Sequence, residues 1–131
     1  MKSGPWDLRE RTFCYARDIV VFCRELSKNP GIPRQIAVQL LRSGTSVGAN
    51  VEEAKAAYSR REFASKNSVA LKEAREARYW LRLIEATNLT SIPQGLLEES
   101  DALVAIFTAV VKKSRISLPA GRGRGRAIVC K

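Results

Sequence analysis

The 131-residue chain contains no histidine. That absence removes His-dependent zinc sites and the Ser-His or Cys-His nucleophile pairs, the designs most hydrolases use. Cysteine is sparse: Cys14, Cys23 and Cys130 argue against a disulfide framework. Cys14 and Cys23 lie nine residues apart on a predicted helix, which at ~100° per residue puts them on opposite sides. They cannot bridge each other or share a metal within that helix. No apolar run approaches the ~20 residues needed to span a bilayer. The opening stretch MKSGPWDLRERTF lacks the apolar segment of a secretory signal, so a cytoplasmic protein with no membrane partner is the expectation.

What is present is enough for one folded domain. Hydrophobic residues make up 45% of the chain, and a chain of this length buries roughly two-thirds of the surface its unfolded form exposes. The net charge is +10. It is unevenly placed: residues 112–131 hold seven bases and no acid, while the other 111 residues hold 16 bases and 13 acids. A basic end on a mildly basic body suggests a polyanion partner, nucleic acid or an acidic surface.

The organising stretch is Ser59 to Asn88. Phe63, Asn67, Ala70, Ala74, Ala77, Leu81, Ile84 and Asn88 alternate in steps of four and three, an unbroken heptad seam without Gly or Pro. Ser59 and Glu62 form an S-x-x-E capping box, flanked by Tyr58 and Phe63 as a hydrophobic staple. At ~1.5 Å per residue this helix runs roughly 43 Å, the spine of a bundle. Glu62 and Lys66 add an acid-first pair four residues apart, worth ~0.3–0.5 kcal/mol.

The other helices are cut to fit it. Asp7 and Glu10 start a first helix whose face is Leu8, Tyr15, Ile19, Phe22 and Leu26, widened by Phe13, Val20 and Cys23. Asn29-Pro30-Gly31-Ile32-Pro33 stops it and opens the second helix. There Ile36, Leu40, Ser43, Val47, Asn50 and Ala54 make the seam, with Leu41, Gly44, Gly48 and Val51 beside it. Two interior glycines cost ~1 kcal/mol each against alanine, so a close neighbour is expected over them, the Ala-rich middle of the third helix. Ser91, Pro93 and Gln94 begin a fourth helix with Leu96, Ser100, Leu103, Phe107, Val110 and Ser114 inward. The expected organisation is a disordered lead over 1–6, a bundle over 7–116 with helices at about 7–28, 33–57, 60–88 and 93–116, and a disordered Arg/Gly-rich tail over 117–131. The fold class is all-α, an antiparallel up-down four-helix bundle.

The run Arg42-Ser43-Gly44-Thr45-Ser46-Val47-Gly48-Ala49-Asn50-Val51-Glu52-Glu53-Ala54 is followed by Ser59-Arg60-Arg61-Glu62-Phe63 and by Ala70 through Leu81, including Trp80. With Trp6-Asp7-Leu8 and Asn29-Pro30, these residues resemble a bacterial four-helix-bundle family. It includes proteins encoded in intervening sequences of 23S ribosomal RNA genes and, more distantly, accessory variability proteins of diversity-generating retroelements. Ala54 departs from the glycine that many members carry there, and the Arg-Gly tail lies outside the shared pattern. The resemblance implies a cytoplasmic, non-enzymatic, basic homopentamer. Its retroelement branch implies binding to nucleic acid and a reverse transcriptase.

Several residues admit two readings. Asn50 and Asn67 on the seams are expected to hydrogen-bond within the core and set helix register. Arg42, Glu52, Glu53, Glu73 and Glu76 read as ion pairs, since the Glu-x-x-His pairs of di-iron bundles cannot exist here. Tyr79 and Trp80 are either core or interface residues or a base-stacking platform. The candidate phosphate contacts are Arg34, Arg60, Arg61, Lys66, Lys112, Lys113, Arg115, Arg122, Arg124, Arg126 and Lys131. No catalytic residue, cofactor or metal is expected. The leading functional expectation is an oligomeric nucleic-acid-binding module, the alternative a protein-interaction adaptor such as a reverse-transcriptase accessory subunit.

Overall fold

Each helix starts where its local chemistry permits. In the computed structural model, which describes residues 7–117, Asp7 caps α1 (Leu8–Leu26) by accepting the Glu10 amide at 3.3 Å. α2 (Ile32–Lys55) follows Gly31, whose φ of 88° is a left-handed conformation open to glycine. Pro33 occupies its first turn, where a missing N–H costs nothing. Ser59 Oγ accepts the Glu62 amide at 3.0 Å to start α3 (Arg60–Ala86). α3 ends in a Schellman motif: Leu89 N–H reaches the Ile84 carbonyl at 3.1 Å around Asn88, which sits at φ 53°. α4 (Leu96–Ser117) completes the chain of elements.

Short links join helices that touch in sequence order, α1 to α2, α2 to α3 and α3 to α4, while α4 meets α1 at only a few points. Neighbours are antiparallel, as the Arg9–Glu52 pair between the start of α1 and the end of α2 records. The result is an all-α, up-down four-helix bundle. Its core holds Tyr15, Ile19, Leu40, Val47, Leu81, Ile84, Leu103 and Phe107, all essentially inaccessible. On α3 the predicted seam is buried from Asn67 through Ile84.

Some expectations change on contact with this geometry. Phe13 and Val20 do not widen the core; Phe13 is 68% exposed and Val20 42%. Thr12 takes the inner place instead, because its hydroxyl bonds the Leu8 carbonyl at 2.6 Å and so can be buried. The staple does not form: Tyr58 is 98% exposed, and Phe63 lies at the partly open end of the seam. Glu62 turns back onto the Tyr58 amide at 2.9 Å, one residue beyond the expected box and away from Lys66. α4 begins at Leu96, not Pro93, since its first helical amide bond runs from Glu99 to Gly95 at 2.9 Å and Gly95 has φ 91°. Ser91 and Gln94 therefore lie in the link. At its far end α4 runs through Ser117. The expectations for the lead and for the tail beyond 117 fall outside the described residues.

The glycines of α2 serve α1, not α3. A Cβ on Gly44 would stand 2.9 Å from two Ile19 side-chain carbons, and one on Gly48 would stand 3.3 Å from the Thr12 carbonyl oxygen. The stripe of small residues on α2 is turned toward the preceding helix, so its backbone and that of α1 approach closely. Cys23, buried on α1, has its thiol pushed up to about 12 by desolvation.

Candidate nucleic-acid interface

The same heptad arithmetic that buries one side of α3 defines its other side. At ~100° per residue, Arg61, Lys72, Arg75, Tyr79 and Arg82 fall in a sector about 80° wide, opposite the Ala70–Ala74–Ala77 seam. All five are exposed. None of the acids of α3 shares that sector. Glu62, Glu73 and Glu76 lie toward one flank and Glu85 toward the other. From Arg61 to Arg82 the stripe spans about 31 Å of helix at ~1.5 Å per residue. Four cations on one rigid rod, with an aromatic ring among them, form a surface suited to phosphates and unstacked bases.

Tyr79 and Trp80 divide the two roles proposed for them. Tyr79 is 55% exposed on the basic side. Trp80 is half-buried against the core, and its indole N–H donates to Glu76 Oε2 at 3.1 Å. The rings meet edge to face, with centroids 5.2 Å apart. Trp80 therefore steadies Tyr79 from the core side, and Tyr79 is the more exposed of the two rings.

The network beside the stripe is where the Arg42 motif goes. Arg42 on α2 reaches Glu76 at 2.6 Å and lies 3.7 Å from Glu73 on α3. Glu73 Oε1 is buried without a hydrogen-bond partner, so its main compensation is that nearby guanidinium. Glu52 pairs with Arg9, and Glu53 is exposed. Asn50 and Asn67 donate to carbonyls of their own helices, Ser46 at 2.9 Å and Phe63 at 3.0 Å. They satisfy themselves locally and do not set register between helices.

The structure scatters the other sequence candidates. Arg34 Nε donates to the Ser27 carbonyl at 2.8 Å and closes the α1–α2 turn. Arg61 joins the stripe and Arg60 flanks it, while Lys66 lies about 120° from its nearer edge, beside the buried seam. Lys112 and Lys113 are exposed near the end of α4, where Arg115 also sits. Arg122, Arg124, Arg126 and Lys131 lie outside the described residues. Sequence reasoning passed over Lys72, Arg75 and Arg82. The signal was available, since they occupy the face complementary to the seam.

No helix among the described residues is long and apolar enough to cross a membrane. Among the same residues no three cysteine, aspartate or glutamate side chains gather where a metal ion could be held.

Comparison with known proteins gives the lineage. A family described as 23S rRNA-intervening sequence protein matches residues 8–108. A crystal structure of a protein of unknown function from the S23 ribosomal protein family of Bacteroides thetaiotaomicron VPI-5482 is 32% identical. The match covers 79% of this chain and 97% of that one, with a TM-score of 0.71. No curated protein matches the chain. With four helices in the same arrangement and a family match over most of its length, the chain belongs to the 23S rRNA-intervening sequence protein family.

Proposed function

We propose that this protein is a non-enzymatic, oligomeric module that binds nucleic acid through the outer face of α3, assisted by the C-terminal cations. The observation that carries the reading is the acid-free line of Arg61, Lys72, Arg75 and Arg82 around exposed Tyr79. Those charges stand on a helix packed between α2 and α4, so no backbone has to be ordered when they meet phosphates. The family description carries a 23S rRNA intervening sequence in its name, which makes RNA the polyanion to test first. Tail cations on several subunits would add avidity through effective concentration.

The test is RNA affinity across a salt series. If the four cations of residues 118–131 engage ~4 phosphates, log K against log salt slopes about −2.8 from that contribution on single strands and about −3.6 on duplex. Removing residues 118–131 flattens the slope by that contribution. The triple variant Lys72→Glu, Arg75→Glu, Arg82→Glu, exposed and remote from the core, lowers the magnitude by a further ~2 on single strands. Slopes unchanged in both variants refute the reading.

A second reading, a protein-interaction adaptor such as a reverse-transcriptase accessory subunit, is favoured by one feature. Phe13, Val20, Val38 and Leu41 are exposed apolar side chains on α1 and α2, neither of which carries the basic stripe. Such residues suit a protein contact, either between copies or with a partner. Retroelement genes beside this one would favour the adaptor, and a position within a ribosomal RNA gene the first reading.

A further inference from the structure

The sparse meeting of α1 and α4 leaves a groove of about 840 Å³ running the length of α1 and walled on its far side by the α3–α4 link and the start of α4. Its floor is apolar, with Val21, Phe22, Leu26 and Leu96. Its rim is acidic: Glu10, Asp18, Glu25 and Glu99 line it against a single base, Arg11. Arg11 is already committed, bonded to Glu99 through two nitrogens at 2.7 and 2.9 Å. Arg17 and Lys28 pair with Asp18 and Glu25 from outside the groove, but those pairs are exposed and worth under ~1 kcal/mol each, so another cation exchanges with them readily. On a body whose bases outnumber its acids, this groove reverses the balance, with four acids to one base.

We infer that the groove is the seat of the chain's own C-terminal segment, residues 118–131. Three observations converge on that occupant. The segment carries Arg122, Arg124, Arg126 and Lys131 and no acid, and it offers Ala127-Ile128-Val129 to an apolar floor. It leaves α4 at the end of the bundle where Val110 and Leu8 line a second hollow. Glu10 lines both hollows, so the path from that end into the groove is continuous. Reach is sufficient for Cys130 to meet Cys14: Ser117 lies 18 residues beyond Glu99, which faces Arg11, so about 27 Å along α4 must be retraced, and the 13 residues 118–130 extend up to about 43 Å at ~3.3 Å each. A tethered segment acts at millimolar effective concentration, so weak contacts suffice. The basic segment is then shared between the groove and any polyanion, and RNA must displace it. The assignment does not depend on RNA binding; only that last consequence does.

Two thiols make the test direct, because Cys14 lines the groove and Cys130 belongs to the segment. The full-length protein is treated with a short bismaleimide in dilute solution and digested with trypsin. The expected product is an intrachain link between the peptides TFCYAR (12–17) and AIVCK (127–131). Its yield falls at least ~3-fold in 0.5 M salt, where the Debye length drops to ~4 Å, and in the variant Asp18→Lys, Glu25→Lys. It also falls when the groove thiol is moved to exposed Ala49 on α2 (Cys14→Ser, Ala49→Cys). Thermal melts establish that the variants are folded. Equal yields at position 14 and position 49 overturn the assignment, as does a yield indifferent to charge reversal, or a link found only between chains. Loss of the link on adding RNA, with the RNA-free result intact, supports competition; a link that RNA leaves unchanged overturns the displacement.

Discussion

Gly44 shows how one missing side chain sets the distance between two helices. A methyl placed there would collide with Ile19 at 2.9 Å, and Ile19 is fully buried with nowhere to move. Gly44→Ala should lower stability by about 1–3 kcal/mol despite its better helix propensity. Denaturant titration checks this, and Ile19→Ala in the same chain should make the added methyl much less costly, a coupling visible in a double-mutant cycle. Buried titratable groups give a second expectation. Burial pushes the Tyr15 phenol, paired with Ser100 Oγ at 2.5 Å, up to about 12, as it does the Cys23 thiol. Both are held neutral in the fold while the unfolded chain ionises near pH 9–10. Stability is therefore fully present below about pH 9 and is lost as pH rises toward 12, by up to ~1.4 kcal/mol per group for each pH unit. Tyr15→Phe should flatten the upper part of that loss in a melting-temperature profile. At this scale the glycine pair was legible as a packing device, but its partner was not. Helix periodicity gives the angle of a residue around its own axis and leaves open which neighbour stands at that angle. Asn67 is a similar case: its burial followed from the seam, whereas its bond to the Phe63 carbonyl depends on a rotamer that spacing cannot specify.

Helices α2 and α4 are both launched from a glycine at positive φ, Gly31 and Gly95. Neither has any atom within 4 Å of where a Cβ would sit, so the demand is conformational, not steric. Gly95→Ala should cost about 1–2 kcal/mol by forcing a left-handed L-residue, measurable as a lower unfolding midpoint with unchanged helix content at low temperature. Sequence signals placed the start of α4 about a turn early because Ser91-x-x-Gln94 has the form of a capping box. The backbone turns at Gly95, and a serine four residues upstream cannot reach the first helical amides. α3 was the most legible element, since its seam, cap and length all point the same way. Its outward stripe could have been found by the identical count. Spacing marks a buried face through its apolar residues, whereas charged residues on a solvated face carry no individual signal of function. The staple at the start of α3 departs from expectation for a related reason: Phe63 and Tyr58 are apolar enough to be drawn inward, but the bundle closes before it reaches them.

The molecule as a whole presents a basic side on α3 and exposed apolar residues on α1 and α2. If the latter pack between copies, light scattering should give a mass several times that of one chain, and Phe13→Glu with Val38→Glu should reduce it without unfolding the helices. A single-chain mass for the unaltered protein would leave those side chains to a different partner. The order of helix contacts has a consequence for how the fold is reached. Every strong interface joins helices adjacent in the chain, and the pairing of first with last is slight. Closing each hairpin needs only a short loop, so refolding should fall in the microsecond-to-millisecond range of low contact order. Folding can begin at either hairpin, and no long-range pairing has to wait for the rest. The last seam to close is also the first to open, and hydrogen exchange should find the outer turns of α1 and α4 yielding before the α2–α3 pair does.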